Sequence, residues 1–187
     1  MRIVGGRLKG RALVAPDGRA TRPTSDRARE SIFNILEHAP WTPGVSGRRV
    51  IDLFAGSGAL GFEAISRGAA FALFVETDAA ARGAIRENIE ALSLFGETRL
   101  HRRDATDLGA WPAGLAEPFD LAFLDPPYHA GLGERALVKL APGGWITPDA
   151  TVVLECAADE TPSLPGFHIE DERTWGVAKV MFLRALH

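Results

Sequence analysis

The stretch VIDLFAGSGALGFEA, residues 50–64, decides the fold. An apolar run carries Asp52 near its end, a turn follows at Gly56 and Gly58, and helical periodicity starts near Ala59. Strand, glycine turn and helix in that order open a βαβ unit whose turn receives a nucleotide-like ligand. Gly56, Gly58 and Gly61 satisfy the spacing G-x-G-x-x-G, which raises a dinucleotide as one reading. Asp52, four residues before Gly56, argues for another. A carboxylate so close to the turn repels a pyrophosphate and suits a ligand with an ammonium and a sulfonium. The cofactor indicated is therefore S-adenosylmethionine rather than a nicotinamide.

Outward from this unit the pattern alternates. Strands are expected at Arg49–Phe54, Phe71–Glu76, Thr98–Arg102, Phe119–Leu124 and Ala150–Glu155. Helices are expected at Ala59–Arg67, Ala79–Leu92 and Gly133–Leu140. Such alternation implies a parallel sheet covered on both faces. His168–Arg173 and Lys179–Arg184 flank Thr174-Trp175-Gly176 with no helix between them, which reads as an antiparallel terminal hairpin. The expected class is α/β: a doubly wound, Rossmann-like sheet, mostly parallel, closed by that hairpin.

Two acids fall in register with the first turn. Glu76 ends the second strand 18 residues past Gly58, where a carboxylate accepts from both hydroxyls of a ribose. Asp104 follows the third strand and is placed for an adenine amino group, with the Ala105 N–H available to a ring nitrogen. Phe54, Ala55 and Ser57 complete the turn and are assigned to the cofactor with Asp52, Gly56 and Gly58.

The second informative motif is LDPPY, residues 124–128, closing the strand FDLAFL. The switch point of a doubly wound sheet lies between its first and fourth strands, and ligands bind beyond their C-terminal ends. Asp125, Pro126, Pro127 and Tyr128 therefore open on the same crevice as the glycine turn. An amino group on a nucleobase is a weak nucleophile because its lone pair is delocalised. The Asp125 carboxylate and Pro126 carbonyl can each accept one of its N–H groups and favour a pyramidal nitrogen. Proline stiffens the backbone that aims the carbonyl. Tyr128 can stack on a base taken out of its own stack. Attack on a sulfonium methyl is then a direct displacement governed by positioning and electrostatics, with no metal required.

Charge divides the chain unevenly. Residues 1–30 hold eight Lys/Arg against three acids, while the whole chain carries −3. A basic arm on an acidic body suits a polyanionic partner. Ile3–Val4 and Ala12–Ala15 are β-prone runs split by glycines, a hairpin whose tip carries Arg7, Lys9 and Arg11. Residues from Pro16 to Pro23 read as loop. TSDRARESIFNILEH reads as a helix capped by Thr24 or Ser25, with an apolar stripe of Ile32, Phe33, Ile35 and Leu36. The expected division is an arm over residues 1–45 and a cofactor domain over residues 46–187. No signal peptide or membrane span is legible. The single cysteine, Cys156, lies in an apolar run and reads as a buried thiol, in keeping with a reducing cytoplasm. Of the five histidines, only His129 adjoins the motifs, and surface or loop roles are expected for the others. The four tryptophans read as packing residues.

With these motifs assembled, the sequence resembles the RsmD family, methyltransferases of the N2 amino group of one guanine in bacterial small-subunit 16S ribosomal RNA. The likeness runs through RIVGG-x-x-KGR, RPTSDRARESIFNIL (22–36), DLFAGSGALGFEA (52–64), LDPPY and the closing hairpin. It implies that Asp52, Ala55, Gly56, Gly58, Glu76 and Asp104 hold the cofactor and that Asp125 to Tyr128 hold the guanine amino group. It implies RNA contacts from Arg7, Lys9, Arg11 and Arg22. Arg29 is assigned to RNA too, with the cofactor's methionine end as an alternative shared with Asn34. Residues 105–118 follow no family pattern. Two rivals share the motifs: a DNA adenine-N6 or cytosine-N4 methyltransferase, and a binding module without turnover. About thirty residues outside the core are few for reading a long DNA site. A monomer is the expected state.

Overall fold

The structure, a computed structural model, describes residues 1–16 and 25–186. Arg19, Arg22, Pro23, Thr24 and His187 lie outside the described residues, so the readings placed on them have no structural counterpart here.

Seven strands form one sheet: β1 (Arg49–Leu53), β2 (Phe71–Val75), β3 (Thr98–His101), β4 (Phe119–Leu124), β5 (Ile146–Ala157), β6 (Phe167–Trp175) and β7 (Ala178–Ala185). Their order is β3-β2-β1-β4-β5-β7-β6. The first five are mutually parallel, while β7 runs antiparallel between β5 and β6. The expected doubly wound sheet with a reversed terminal hairpin is therefore the observed one. Expected strand ends agree within a residue or two, except at β5, which begins four residues before the expected Ala150. Its register against β4 shifts between Phe119 and Leu121, and Asp149 sits at φ +66°. A bulge at Thr147-Pro148-Asp149 hid the start of this strand from its pattern.

Both faces are covered. Val50, Phe74, Leu121, Phe123 and Phe182 pack on one side with α1 (Asp26–His38), α2 (Ala59–Ser66) and α3 (Ala79–Ala91). Ile51, Leu53, Leu73, Leu124 and Leu183 pack on the other with α4 (Leu132–Leu140). Residues 105–118 join this second core without forming a helix: Leu108 and Leu115 are buried, and Trp111 lies 4.9 Å from Trp145. Gly109 and Gly114 at positive φ, with Pro112 between them, explain why no helix forms.

Helix α1 starts at Ser25, whose Oγ accepts from the Ala28 N–H at 3.1 Å, as its sequence suggests. Ile3 and Leu13 of the arm belong to the same buried cluster as Ile32, Phe33, Leu36 and the sheet. The core thus runs through residue 45, where sequence character alone suggested a division. The arm is a loose hairpin with a single bridge, Arg2 to Ala12, rather than paired strands. It lies between α2 and α3. On one limb the Val4 and Gly5 N–H groups donate to Glu63, and the Arg7 N–H donates to the Ser66 carbonyl. On the other, Val14 pairs with Asn88, and Arg11 donates to the Ala91 carbonyl.

Candidate active site

Register sets the site. Leu53 pairs with Val75 on one side and Leu124 on the other, so Phe54, Glu76 and Asp125 leave the sheet at one edge. That edge floors a cleft of about 980 Å³. The cleft is lined by Asp52, Phe54, Ala55, Gly56 and Ser57, by Glu76, Asp104 and Ala105, and by Asp125, Pro126, Pro127 and Tyr128. Of the residues assigned to the cofactor or the reacting base, Gly58 is not among them, and neither are Arg29 and Asn34, the alternative for the cofactor's methionine end. Gly58 is the N-terminal cap of α2, at φ +81°, and a Cβ there would fall 2.7 Å from Phe62. Its role is to let turn and helix pack against Phe62 and Phe74.

Glu76 braces the turn, accepting from the Gly56 N–H at 2.7 Å and from the Asp78 N–H at 2.9 Å. Asp52 is buried, with Oδ2 accepting from the Gly61 N–H at 3.1 Å in the first turn of α2. Burial, with the negative charge of Glu76 nearby, pushes its carboxyl well above the usual carboxylate range, against the Gly61 bond. Asp104 behaves oppositely. Its Oδ1 accepts from the Thr106 Oγ1 and N–H at 2.7 and 2.8 Å, and these bonds hold its carboxyl below the usual range.

Beyond β4 the chain passes Asp125 and Tyr128, both half-buried, and reverses at His129 (φ +61°) and Gly131 (φ +69°) into α4. Gly133 seats the loop: a Cβ there would lie 3.3 Å from Pro126 and 2.9 Å from Leu154. The His129 N–H donates to Glu160 at 3.1 Å, and its Nε2 lies 2.8 Å from Asp159. The Asp159 contact raises the His129 pKa. His101, expected in a surface or loop role, is instead a buried strand residue; burial together with Arg99 and Arg103 lowers its pKa to about 4.

Sequence reasoning missed Thr77, Asp78, Arg103 and Leu132, which also line the cleft, and Ala15 and Pro16, which bring the arm to its rim. Asp78 was readable as the cap of α3, accepting from the Ala81 N–H at 2.9 Å. The arm's approach depends on contacts some sixty to ninety residues apart and leaves no local signal.

One assignment needs correction. Arg29 has no exposed surface; its Nε donates to Glu63 at 3.2 Å and its guanidinium to Asp26 at 2.8 Å and to the Arg2 carbonyl. It ties the arm to α2 from inside the core and offers no face to RNA; nor does it line the cleft. Arg7, Lys9 and Arg11 remain at the surface, Arg7 in an ion pair with Glu97 at 2.8 Å. They sit by the C-terminal ends of α2 and α3, away from the cleft. Ten residues of α3 separate Ala81 at the cleft from Ala91 beside Arg11, a rise of about 15 Å.

A sequence model for the family described as "Conserved hypothetical protein 95" matches residues 1–184. The Ribosomal RNA small subunit methyltransferase D of Escherichia coli K12 is 36% identical over 166 residues, 88% of this chain and 79% of the relative. That of Haemophilus influenzae is 33% identical over 179 residues, 95% and 90% of the two chains. The chain belongs to the RsmD family. A solved structure of the E. coli protein yhhF superposes with this RsmD-family fold at a TM-score of 0.83, with 34% identity and coverage of 100% and 98%. TrmN from Thermus thermophilus, at TM-score 0.65 and 22% identity over 85% of this chain and 48% of its own, shares the fold alone.

Proposed function

We propose that this RsmD-family chain transfers a methyl group from S-adenosylmethionine to the N2 amino group of a guanine in small-subunit 16S ribosomal RNA. The observation that carries the reading is the meeting of the glycine turn, Glu76 and the Asp125–Tyr128 loop in one cleft at the β1/β4 switch point. The names of the E. coli and H. influenzae relatives supply the substrate class.

The residues present fit the cofactor. A carboxylate has about four acceptor positions. Glu76 uses two on backbone N–H groups and keeps two for a ribose diol. Asp52 is a buried acid whose ionisation is unfavourable alone and is restored by a cationic ligand. Next to Gly56, at φ +59°, nothing lies within 4 Å of where a Cβ would stand, so a ligand can approach the backbone closely. Asp104 keeps Oδ2 for an exocyclic amino group, and the Ala105 N–H serves a ring nitrogen. The cofactor, when bound, supplies an electrophilic methyl group.

The chain's own part is to hold the nucleophile. Asp125 and the Pro126 carbonyl take the two amino protons and direct the lone pair, Pro127 stiffens the loop, and Tyr128 stacks on the base. Arg7, Lys9 and Arg11 bind phosphate, and their distance from the cleft requires RNA that extends well beyond the reacting nucleotide. Salt then weakens binding through counterion release.

The test is transfer of labelled methyl from S-adenosylmethionine to unmodified small ribosomal subunits, followed by nucleoside analysis. N2-methylguanosine in 16S rRNA is the expected product, and Asp125→Ala removes it while cofactor binding persists. Label in duplex DNA, or no label anywhere, overturns the substrate.

A further inference from the structure

Asn88 is a polar residue on the packing face of α3, between Ala84, Ile85 and Ile89, and only 1% exposed. A buried amide is costly unless its groups are matched. Here the partners come from two other elements. Oδ1 accepts from the Val14 N–H at 2.8 Å, and Nδ2 donates to the Val14 carbonyl at 3.0 Å and to the Ser57 carbonyl at 3.3 Å. The first two bonds pair the side chain with the arm as a neighbouring strand would. The third reaches the cofactor turn between Gly56, which Glu76 holds, and Gly58, two glycines at positive φ. The residues after Val14, Ala15 and Pro16, line the cleft, as does Met1, whose sulfur lies 3.7 Å from the Ser57 hydroxyl.

We propose that Asn88 is a positioning residue for the cofactor site: its amide fixes Val14–Pro16 as the outer wall of the cleft and sets the turn at Ser57. The arm then belongs to the cofactor site as well as to the RNA surface. The wall is set at Asn88 and not at the distant tip, where Ser66 donates to the Gly5 carbonyl at 2.6 Å and accepts from the Leu8 N–H at 2.9 Å. This inference rests on the S-adenosylmethionine reading.

The experiment is calorimetric titration of S-adenosylmethionine into the full chain, its Asn88→Ala variant and its Ser66→Ala variant, with melting temperature and backbone hydrogen exchange measured alongside. Losing the Asn88 bonds is expected to raise the cofactor Kd about tenfold. At saturating cofactor, kcat stays within about threefold, the pattern of lost ground-state binding. Ser66→Ala lowers the melting temperature comparably yet leaves the Kd within about twofold. In the unsubstituted chain the cofactor slows exchange at the Val14 amide, and Asn88→Ala abolishes that protection. If Asn88→Ala does not fold, the near-isosteric Asn88→Asp, which loses both donations but keeps the acceptor for the Val14 N–H, takes its place with the same expected rise in Kd. An unchanged Kd in the Asn88 variant, or an equal loss in Ser66→Ala, overturns the proposal. Failure of the unsubstituted chain to bind S-adenosylmethionine overturns the cofactor reading itself, and this inference with it.

Discussion

Truncating Glu63 to alanine should destabilise this chain more than almost any other single change to a charged residue. Its carboxylate is buried and takes four donors: the Val4 and Gly5 N–H groups at 3.0 and 2.9 Å, Arg29 Nε at 3.2 Å and Arg67 Nε at 2.8 Å. Arg67 retains Glu37 at 2.9 Å at the edge of the network. Arg29 sits fully inside and would keep Asp26, half-exposed, and the Arg2 carbonyl among its partners. Breaking a buried pair from one side costs about 3–5 kcal/mol, because the remaining charge stays desolvated. For a chain of 187 residues, about 4 kcal/mol corresponds to roughly 8–16 °C in melting temperature. Thermal unfolding followed by circular dichroism reads it directly. Glu63→Gln keeps the volume and one acceptor, and should still lose about 2 kcal/mol, separating charge from packing. The double change Glu63→Met with Arg29→Met should recover much of the loss, because no uncompensated ion is left inside. A Glu63→Ala shift below about 3 °C would refute the claim that this carboxylate holds arm and helix together.

Three further outcomes follow from the same geometry. Gly61→Ala places a Cβ 2.4 Å from the Phe74 ring, so overpacking should cost about 1–3 kcal/mol in denaturant titration; an unchanged midpoint would contradict the close approach. Asp52→Asn keeps an acceptor for the Gly61 N–H but removes a carboxyl whose folded pKa is raised. That carboxyl lowers stability as pH climbs from its unfolded value through its folded one, so the variant should melt higher than the unsubstituted chain at neutral pH. It should also bind S-adenosylmethionine at least about tenfold more weakly, and a lower melting point with intact binding would reverse the reading. The His129 pKa is raised by Asp159, so its contribution is fully present below the ordinary histidine value and is lost as pH rises through the folded one. Asp159→Asn should move the His129 titration, followed by NMR, to lower pH, and an unmoved titration would deny the contact.

The sheet was legible because its strands are short apolar runs ended by chemistry-bearing residues: Asp52 with the glycine turn, Glu76, and Asp125 with its two prolines. Each of these marks a C-terminal strand end, so motif and boundary reinforced one another. The same logic located the turn residues, the two acids after β2 and β3 and the Asp125–Tyr128 loop at the cleft, except Gly58, whose requirement is packing. What could not be read was pairing at a distance. Arg29 looks like a surface cation in an arginine-rich helix. Only Glu63, from a different segment, draws it inside. Asn88 resembles any polar residue of an amphipathic helix until Val14 and Ser57 are seen beside it. The coil at residues 105–118 gave no periodicity because glycines and proline punctuate it, and tilted packing of Trp111 with arginine bonds to its carbonyls holds it.

The docking of the arm has a consequence for synthesis on the ribosome. Val4 waits for Glu63, made 59 residues later, and Arg7 for Glu97, made 90 residues later. At the usual elongation rate of about 5–20 residues per second, these partners follow after roughly 3 to 18 seconds. Through that interval the basic tip lacks its partners while its hydrophobic residues Ile3 and Leu13 have no core to enter. These early residues are thus secured only once α2 and α3 have been made, and the cleft they wall cannot be completed before α3 has emerged.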